Sequence, residues 1–129
     1  MTLKVSRGLR NQMLVTGSFK SIMEANGGCK LQIYDGTPPS TARDAIGAGN
    51  NLLVTITVDD AGTGLTFEST ASQGAVTKTS SENWEGTVAT GGTASFYRLI
   101  ADGDSGTASN TEPRLQGEVG LSGAELNLS

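Results

Sequence analysis

From residue 29 onward the chain alternates short apolar segments with polar turns, and no helical pattern lies between them. The segment 52–58, LLVTITV, shows the clearest period of two. Its apolar face consists of Leu52, Val54, Ile56 and Val58. The segments 29–34 and 93–101 alternate in the same way, and Gly, Asp, Ser and Pro residues separate them. Successive strands without intervening helices favour an antiparallel arrangement and exclude a βαβ fold.

Shorter segments of the same kind bring the predicted number of strands to about seven or eight. They are 65–69, 84–89, 115–121 and 125–128. Both faces of the segment 93–101 carry large apolar groups, so we expect it to be a central strand. The fold class predicted is mainly β, an antiparallel β-sandwich or jelly roll with a short N-terminal helical arm.

The helical arm is predicted at residues 7–25, where apolar residues recur at three- and four-residue spacing. Gly17 weakens its middle, which divides it into two short helices, and Asn26-Gly27-Gly28 ends it. The chain has 129 residues, the size of one domain. We therefore expect an arm and short helix at 1–28, followed by a single β-sandwich domain at 29–129.

The chain contains no His and only one Cys, which excludes many kinds of chemistry. Without His there is no imidazole base and no His metal ligand. One Cys excludes an intramolecular disulfide and multi-cysteine metal sites. Cys29 opens a strand, so we expect it to be buried and inert. The sequence predicts a protein that is not an enzyme, with no catalytic residues, no cofactor and no metal.

Two local motifs have alternative interpretations. Gly103-Asp104-Ser105-Gly106 resembles the nucleophile segment of trypsin-like proteases, but that chemistry needs a His. Asp102-Gly103-Asp104 could open a calcium loop, although Pro113 occupies the twelfth position, where an EF-hand has Glu. An irregular calcium site that includes Asp59 and Asp60 stays open, with solvated turn residues as the default. Trp84 is expected in the core.

The charge distribution is uneven along the chain, whose net charge is −4. Residues 1–34 have a net charge of +4, whereas residues 35–129 have a net charge of −8. The candidate interface is therefore a basic arm, Lys4, Arg7 and Arg10, which would contact an acidic surface such as a neighbouring copy. An ordinary solvated helix face is the alternative. The overall negative charge argues against nucleic acid as a partner, and no apolar segment is long enough to span a membrane.

Four segments, in this order, resemble small proteins of tailed-bacteriophage virions. They are RGLRNQML (7–14), LQIYDGTPPS (31–40), NWEGTVATGGTASFYRLIADG (83–103) and RLQGEVGLSGAELNLS (114–129). The shared pattern is an Arg-Asn helix, a strand ending in Ile-Tyr-x-Gly, a Gly-Thr-Ala-x-aromatic-aromatic-Arg strand and a closing Gly-x-Val-Gly strand. The matched segments cover about half of the chain and supply no catalytic residues.

The resemblance implies a non-enzymatic virion component, a capsid decoration (cement) protein that binds and stabilises the head shell. Its partners would be the major capsid protein or another virion protein and further copies of itself, as a homo-oligomer. Its location would be the virion, assembled in the host cytoplasm. Two alternatives stay open: a tail or head–tail structural protein, and a carbohydrate- or receptor-binding β-sandwich module. The last would require Trp84, Tyr34 and Tyr97 to be exposed together.

Overall fold

The computed structural model describes residues 3–128, and its strands form one sheet. The strands are β1 (Lys4–Val5), β2 (Cys29–Tyr34), β3 (Leu52–Val58), β4 (Trp84–Glu85), β5 (Phe96–Ala101), β6 (Arg114–Gly120) and β7 (Leu126–Asn127). The helices are α1 (Arg7–Val15) and α2 (Phe19–Met23). The sheet has the order β1-β6-β5-β2-β3-β4, and each neighbouring pair is antiparallel. The short β7 pairs with β6 in parallel.

The predicted mainly β, antiparallel fold with N-terminal helices is confirmed, whereas the sandwich or jelly roll is not. All the strands in the described part of the chain belong to one open sheet. The predicted central position of the 93–101 strand is confirmed, because β5 lies between β6 and β2. The predicted strand at 65–69 is reduced to isolated bridges at Leu65 and Phe67. None of the helices within residues 3–128 has the length and apolar character to cross a membrane.

Two short helices form on either side of Gly17, as predicted. Each begins at a serine whose side-chain oxygen accepts a backbone N–H, Ser6 from Leu9 at 3.1 Å and Ser18 from Ser21 at 3.1 Å. Such caps satisfy donors that the first helical turn leaves free. The N-terminal segment is part of the same sheet, since β1 pairs with β6 and α1 buries Leu9.

One face of the sheet, here called the inner face, carries two apolar clusters. The first lies beneath the helices and consists of Leu9, Ile22, Met23, Cys29, Leu65 and Leu99. The second consists of Ile33, Val54, Tyr97 and Val119, and no helical residue belongs to it. The helices therefore cover only one end of the inner face.

The opposite, outer face of the sheet is covered by two loops, residues 35–51 and 102–113. Tyr34 and Phe96 stack there with their ring centroids 5.1 Å apart. The same face carries three buried polar side chains, Arg98, Arg114 and Gln116, all about 1% exposed or less. These three side chains hold the loops in place.

Candidate functional site

Two of the three predicted interface residues line a polar groove at the edge of the sheet. Arg7 and Arg10 are exposed on α1 and meet Arg43, from the 35–51 loop, across the groove. The groove has a volume of about 330 Å³, and no carboxylate is among its lining residues. We call it the arginine groove. Its lining residues are Val5, Ser6, Arg7, Arg10, Thr41, Ala42 and Arg43. Lys4, the third predicted residue, lies outside this set and donates from its Nζ to the Pro39 carbonyl at 3.3 Å.

Arg43 was missed by the sequence analysis because only the tertiary structure brings its loop against α1. Buried side chains of the outer face fix that loop through its backbone carbonyls. Arg98 Nη2 donates to the carbonyl of Asp44 at 2.7 Å, and Gln116 Nε2 donates to that of Pro39 at 2.9 Å. Arg114 Nη1 donates to the carbonyls of Ala42 and Arg43 at 3.3 and 3.4 Å. The wall of the groove that the 35–51 loop forms is therefore fixed by buried side chains of the sheet.

Arg114 also holds the second loop, through a buried ion pair with Asp104. Its Nε and Nη2 donate to the two carboxylate oxygens at 2.6 and 2.7 Å. The side chains of Arg114 and Asp104 are 1% and 0% exposed. Two parallel bonds of this kind fix both distance and orientation. Nη2 also donates to the Thr107 carbonyl at 2.6 Å, which ties the loop further to the sheet.

Arg98 carries a second buried guanidinium beside that of Arg114. Burial, followed by the charge of Arg114, lowers the pKa of Arg98 to about 10. Its Nε donates to Gln116 Oε1 at 2.8 Å, whereas its Nη1 is buried with no hydrogen-bond partner among the described residues. The buried carboxylate of Asp104 bonds Arg114 and not Arg98, whose charge is balanced only at longer range by Asp104 and Asp44. Arg98 lies behind the loop that lines the groove, because its Nη2 donates to the carbonyls of Thr41 and Asp44. This arrangement favours a negatively charged partner.

The end of α1 presents apolar side chains to solvent. Met13, Leu14 and Val15, here called the α1 patch, are 48%, 81% and 86% exposed. Met13 and Leu14 line a shallow hollow with Val5 and Arg10. Arg10 precedes Leu14 by four residues, so the two side chains lie on the same side of the helix. The patch therefore adjoins the arginine groove.

The uncovered end of the inner face forms an apolar cavity of about 420 Å³. We call it the sheet cavity. Its lining residues are Ile33, Leu53, Val54, Ile56, Glu85, Gly86, Val88, Thr90, Gly92, Ala94 and Leu128. The register of β2 with β3 shifts between Ile33 and Tyr34, leaving Leu53 as an extra residue in the ladder. Such a bulge lets two consecutive side chains, Leu53 and Val54, line the same cavity.

The structure separates the carboxylates of the possible calcium loop. Asp102 pairs with Lys30 at 2.8 Å, while Asp104 pairs with Arg114. Asp60 accepts hydrogen bonds from the backbone and hydroxyl of Thr87, at 3.2 and 2.6 Å. Within residues 3–128 no group of three His, Cys, Asp or Glu side chains is placed to hold a metal ion.

The predicted burial of Cys29 is confirmed, since the residue is 0% exposed. Desolvation, followed by the charges of Glu24 and Glu82, raises the pKa of its thiol to about 12. A thiol with so high a pKa is neutral at physiological pH and a poor nucleophile.

The aromatic residues that a sugar-binding platform would need lie apart. Tyr34 is on the outer face and Tyr97 on the inner face, and they are 6% and 8% exposed. Trp84 is half-buried and packs edge-on against Phe67, with ring centroids 5.7 Å apart. The three side chains do not form one exposed surface.

The comparisons with known proteins give no match: no family model fits the chain, and no curated protein or solved structure is similar to it. The functional interpretation therefore rests on the residues, on their geometry and on the resemblance of the four segments described above.

Proposed function

We propose that the chain is a non-enzymatic structural protein of a phage virion, a capsid decoration (cement) protein that binds and stabilises the head shell. The observation that carries this proposal is the arginine groove, where the exposed side chains of Arg7, Arg10 and Arg43 converge, with Asp44 Oδ1 3.9 Å from Arg43 Nε beside it. Such a groove suits an acidic protein surface, because guanidinium groups form paired hydrogen bonds with carboxylates.

The chemistry of the groove supports binding over catalysis. Its three cations are exposed, and exposed charges guide and orient association more than they strengthen it. A decoration protein needs no strong single contact, since many copies on one shell add their contacts through avidity. The order of the segments that resemble virion proteins favours the same role.

We further propose that the loops on the outer face take the place of the second sheet in a decoration-type β-sandwich. They bury Phe96, Arg98 and Ile100 of the central strand, as a facing sheet would. The ion pair between Arg114 and Asp104 gives these loops a fixed position. The groove would thus be presented on a rigid support, which lowers the entropic cost of binding.

The test is electron cryo-microscopy of particles from cells that make this chain, together with quantitative mass spectrometry of the purified particles. We expect density on the head shell at many copies, with the arginine groove facing acidic residues of the shell. Density confined to the tail or neck would overturn the decoration role in favour of a tail or head–tail protein. Absence from purified particles would overturn every virion role.

A further inference from the structure

We propose that Arg98 binds a small monovalent anion of the chloride class beneath the 35–51 loop, with Gln32 as the second donor to the ion. The site lies inside the outer face of the sheet, and neither residue lines the arginine groove. The inference therefore goes beyond the proposed virion role and holds or fails independently of binding to a head shell.

The guanidinium of Arg98 is enclosed by protein, yet one of its nitrogens has no acceptor. The residue is 1% exposed. Its Nε donates to Gln116 and its Nη2 to the carbonyl of Asp44, whereas Nη1 has no hydrogen-bond partner anywhere in the described part of the chain. Buried polar groups are nearly always hydrogen-bonded, and an exception of this kind indicates a bound water or ion.

The shape of the guanidinium directs Nη1 toward β2. Nε faces Gln116, the cross-strand partner of Arg98 on β6. Because a guanidinium is planar and its N–H groups have fixed directions, Nη1 lies on the opposite side from the Nε–H bond. That side faces Gln32, the cross-strand partner of Arg98 on β2. Side chains of directly opposite residues in an antiparallel pair are neighbours, with their Cβ atoms about 5 Å apart.

Gln32 brings a second donor that has no acceptor. Its Oε1 accepts the hydroxyl of Tyr34 at 2.8 Å, while its Nε2 bonds to no group within residues 3–128. Arg98 Nη1 and Gln32 Nε2 are both N–H donors, so neither can satisfy the other. One acceptor between them would satisfy both. Gln32 is only half-buried, which leaves a route from solvent to the site.

The charge at this site favours an anion over a water molecule. The pKa of Arg98 is about 10, so the side chain is charged at neutral pH. The carboxylate of Asp104 bonds to Arg114. The side chain of Asp44 is 41% exposed, and its carboxylate accepts the backbone N–H of Thr41. A buried charge without a direct partner is costly, and an anion in contact with Nη1 would offset that cost.

The experiment combines X-ray diffraction from bromide-soaked crystals with thermal unfolding at constant ionic strength, as chloride replaces gluconate. Bromide occupies chloride sites and is located by its anomalous scattering, whereas gluconate is too large for an enclosed site. Gln32→Glu places a carboxylate beside Arg98 and should remove the need for an ion. Gln73→Glu is the matched control, because it makes the same substitution at an exposed residue in the turn between Ser72 and Ala75.

We expect a bromide peak in contact with Arg98 Nη1 and Gln32 Nε2. Chloride should raise the melting temperature of the wild type and of Gln73→Glu by about 2–5 °C, because a ligand that binds only the folded state stabilises it. The melting temperature of Gln32→Glu should not respond to chloride. Anions at the exposed arginines would stabilise all three proteins, so equal chloride effects in all three would overturn the proposal.

The diffraction experiment tests the site without any substitution. A water molecule at Nη1, or a direct hydrogen bond from Nη1 to Oε1 of Gln32, would overturn the proposal. A bromide peak without an effect of chloride on the wild-type melting temperature would identify an adventitious ion only, and would overturn it as well.

Discussion

The guanidinium of Arg114 and the carboxylate of Asp104 form a two-bond ion pair that solvent does not reach, at 2.6 and 2.7 Å. Arg114 belongs to β6 and Asp104 to the loop after β5, while the free Nη1 of Arg114 reaches the carbonyls of Ala42 and Arg43. One side chain therefore anchors both loops of the outer face to the sheet.

Asp104→Asn is expected to lower the free energy of unfolding by about 3–5 kcal/mol, because it leaves Arg114 charged and buried without its partner. Urea denaturation at neutral pH measures the change. Asp102→Asn is the matched control: it removes a carboxylate two residues away that pairs with Lys30 at the surface. That pair is worth about 1 kcal/mol or less. Equal losses in the two variants would contradict the anchoring role of Arg114 and Asp104.

Arg7→Glu combined with Arg43→Glu is expected to reduce the number of copies bound per particle severalfold without changing the melting temperature appreciably. Both residues are exposed, so reversing their charge alters the groove and not the core. Quantitative mass spectrometry of purified particles measures occupancy, and raising the salt concentration should weaken wild-type binding in the same direction. Lys78→Glu, at an exposed site outside the groove, should leave occupancy unchanged. Full occupancy of the double variant would remove the groove from the interface.

Gly8→Ala is expected to destabilise the protein by about 1–3 kcal/mol. This is the reverse of the usual effect, because Ala has a higher helix propensity than Gly. A Cβ at position 8 would lie 2.3 Å from the carbonyl oxygen of Thr111 and 2.5 Å from that of Glu112, so α1 would have to move off the loop. Gly49→Ala is the control, because a Cβ there meets nothing within 4 Å. Thermal unfolding distinguishes the two, and a stabilised Gly8→Ala protein would show that the close contact is absent.

The stability of the protein is expected to fall as the pH rises above about 9, the ordinary pKa of a Cys thiol. Burial raises the pKa of Cys29 to about 12, so the unfolded chain loses this proton at lower pH than the folded protein does. The stabilising contribution is complete below pH 9 and is lost as the pH approaches 12. Urea denaturation over this pH range should show that the free energy of unfolding falls less steeply with pH in Cys29→Ala than in the wild type.

A decline remains expected in Cys29→Ala, because burial also raises the pKa values of Tyr34 and Tyr97. Identical pH profiles for Cys29→Ala and the wild type would contradict the buried, neutral state of the thiol.

Local patterns were sufficient to predict β2 and β3 with their exact bounds, since alternation and flanking turns define both. They also placed the break between the helices at Gly17. They could not predict the bulge at Leu53, because register depends on the partner strand. The sandwich was predicted from the number of strands, but the 65–69 and 84–89 segments pair too little to build a second sheet.

The candidate site could be predicted only in part. The run of basic residues near the N-terminus identified Arg7 and Arg10, but the loop that carries Arg43 meets them only in three dimensions. The sequence did contain one indication of the buried side chains that hold that loop. Arg98 stands in the apolar segment Phe96–Ala101, where a charged side chain implies a buried partner. Arg114 opens β6, and Asp104 lies in the loop between the two arginines.

The hydrogen bonds of Ser6 link the position of α1 to residues far along the chain. Its hydroxyl caps α1, accepts the backbone N–H of Arg114 at 2.8 Å and donates to the carbonyl of Glu112 at 2.9 Å. These partners lie 108 and 106 residues further along the chain. During synthesis α1 therefore reaches its final position only after the chain as far as Arg114 has been made. The arginines of the groove converge only then, so a nascent chain that stops short of Arg114 does not yet present the arginine groove.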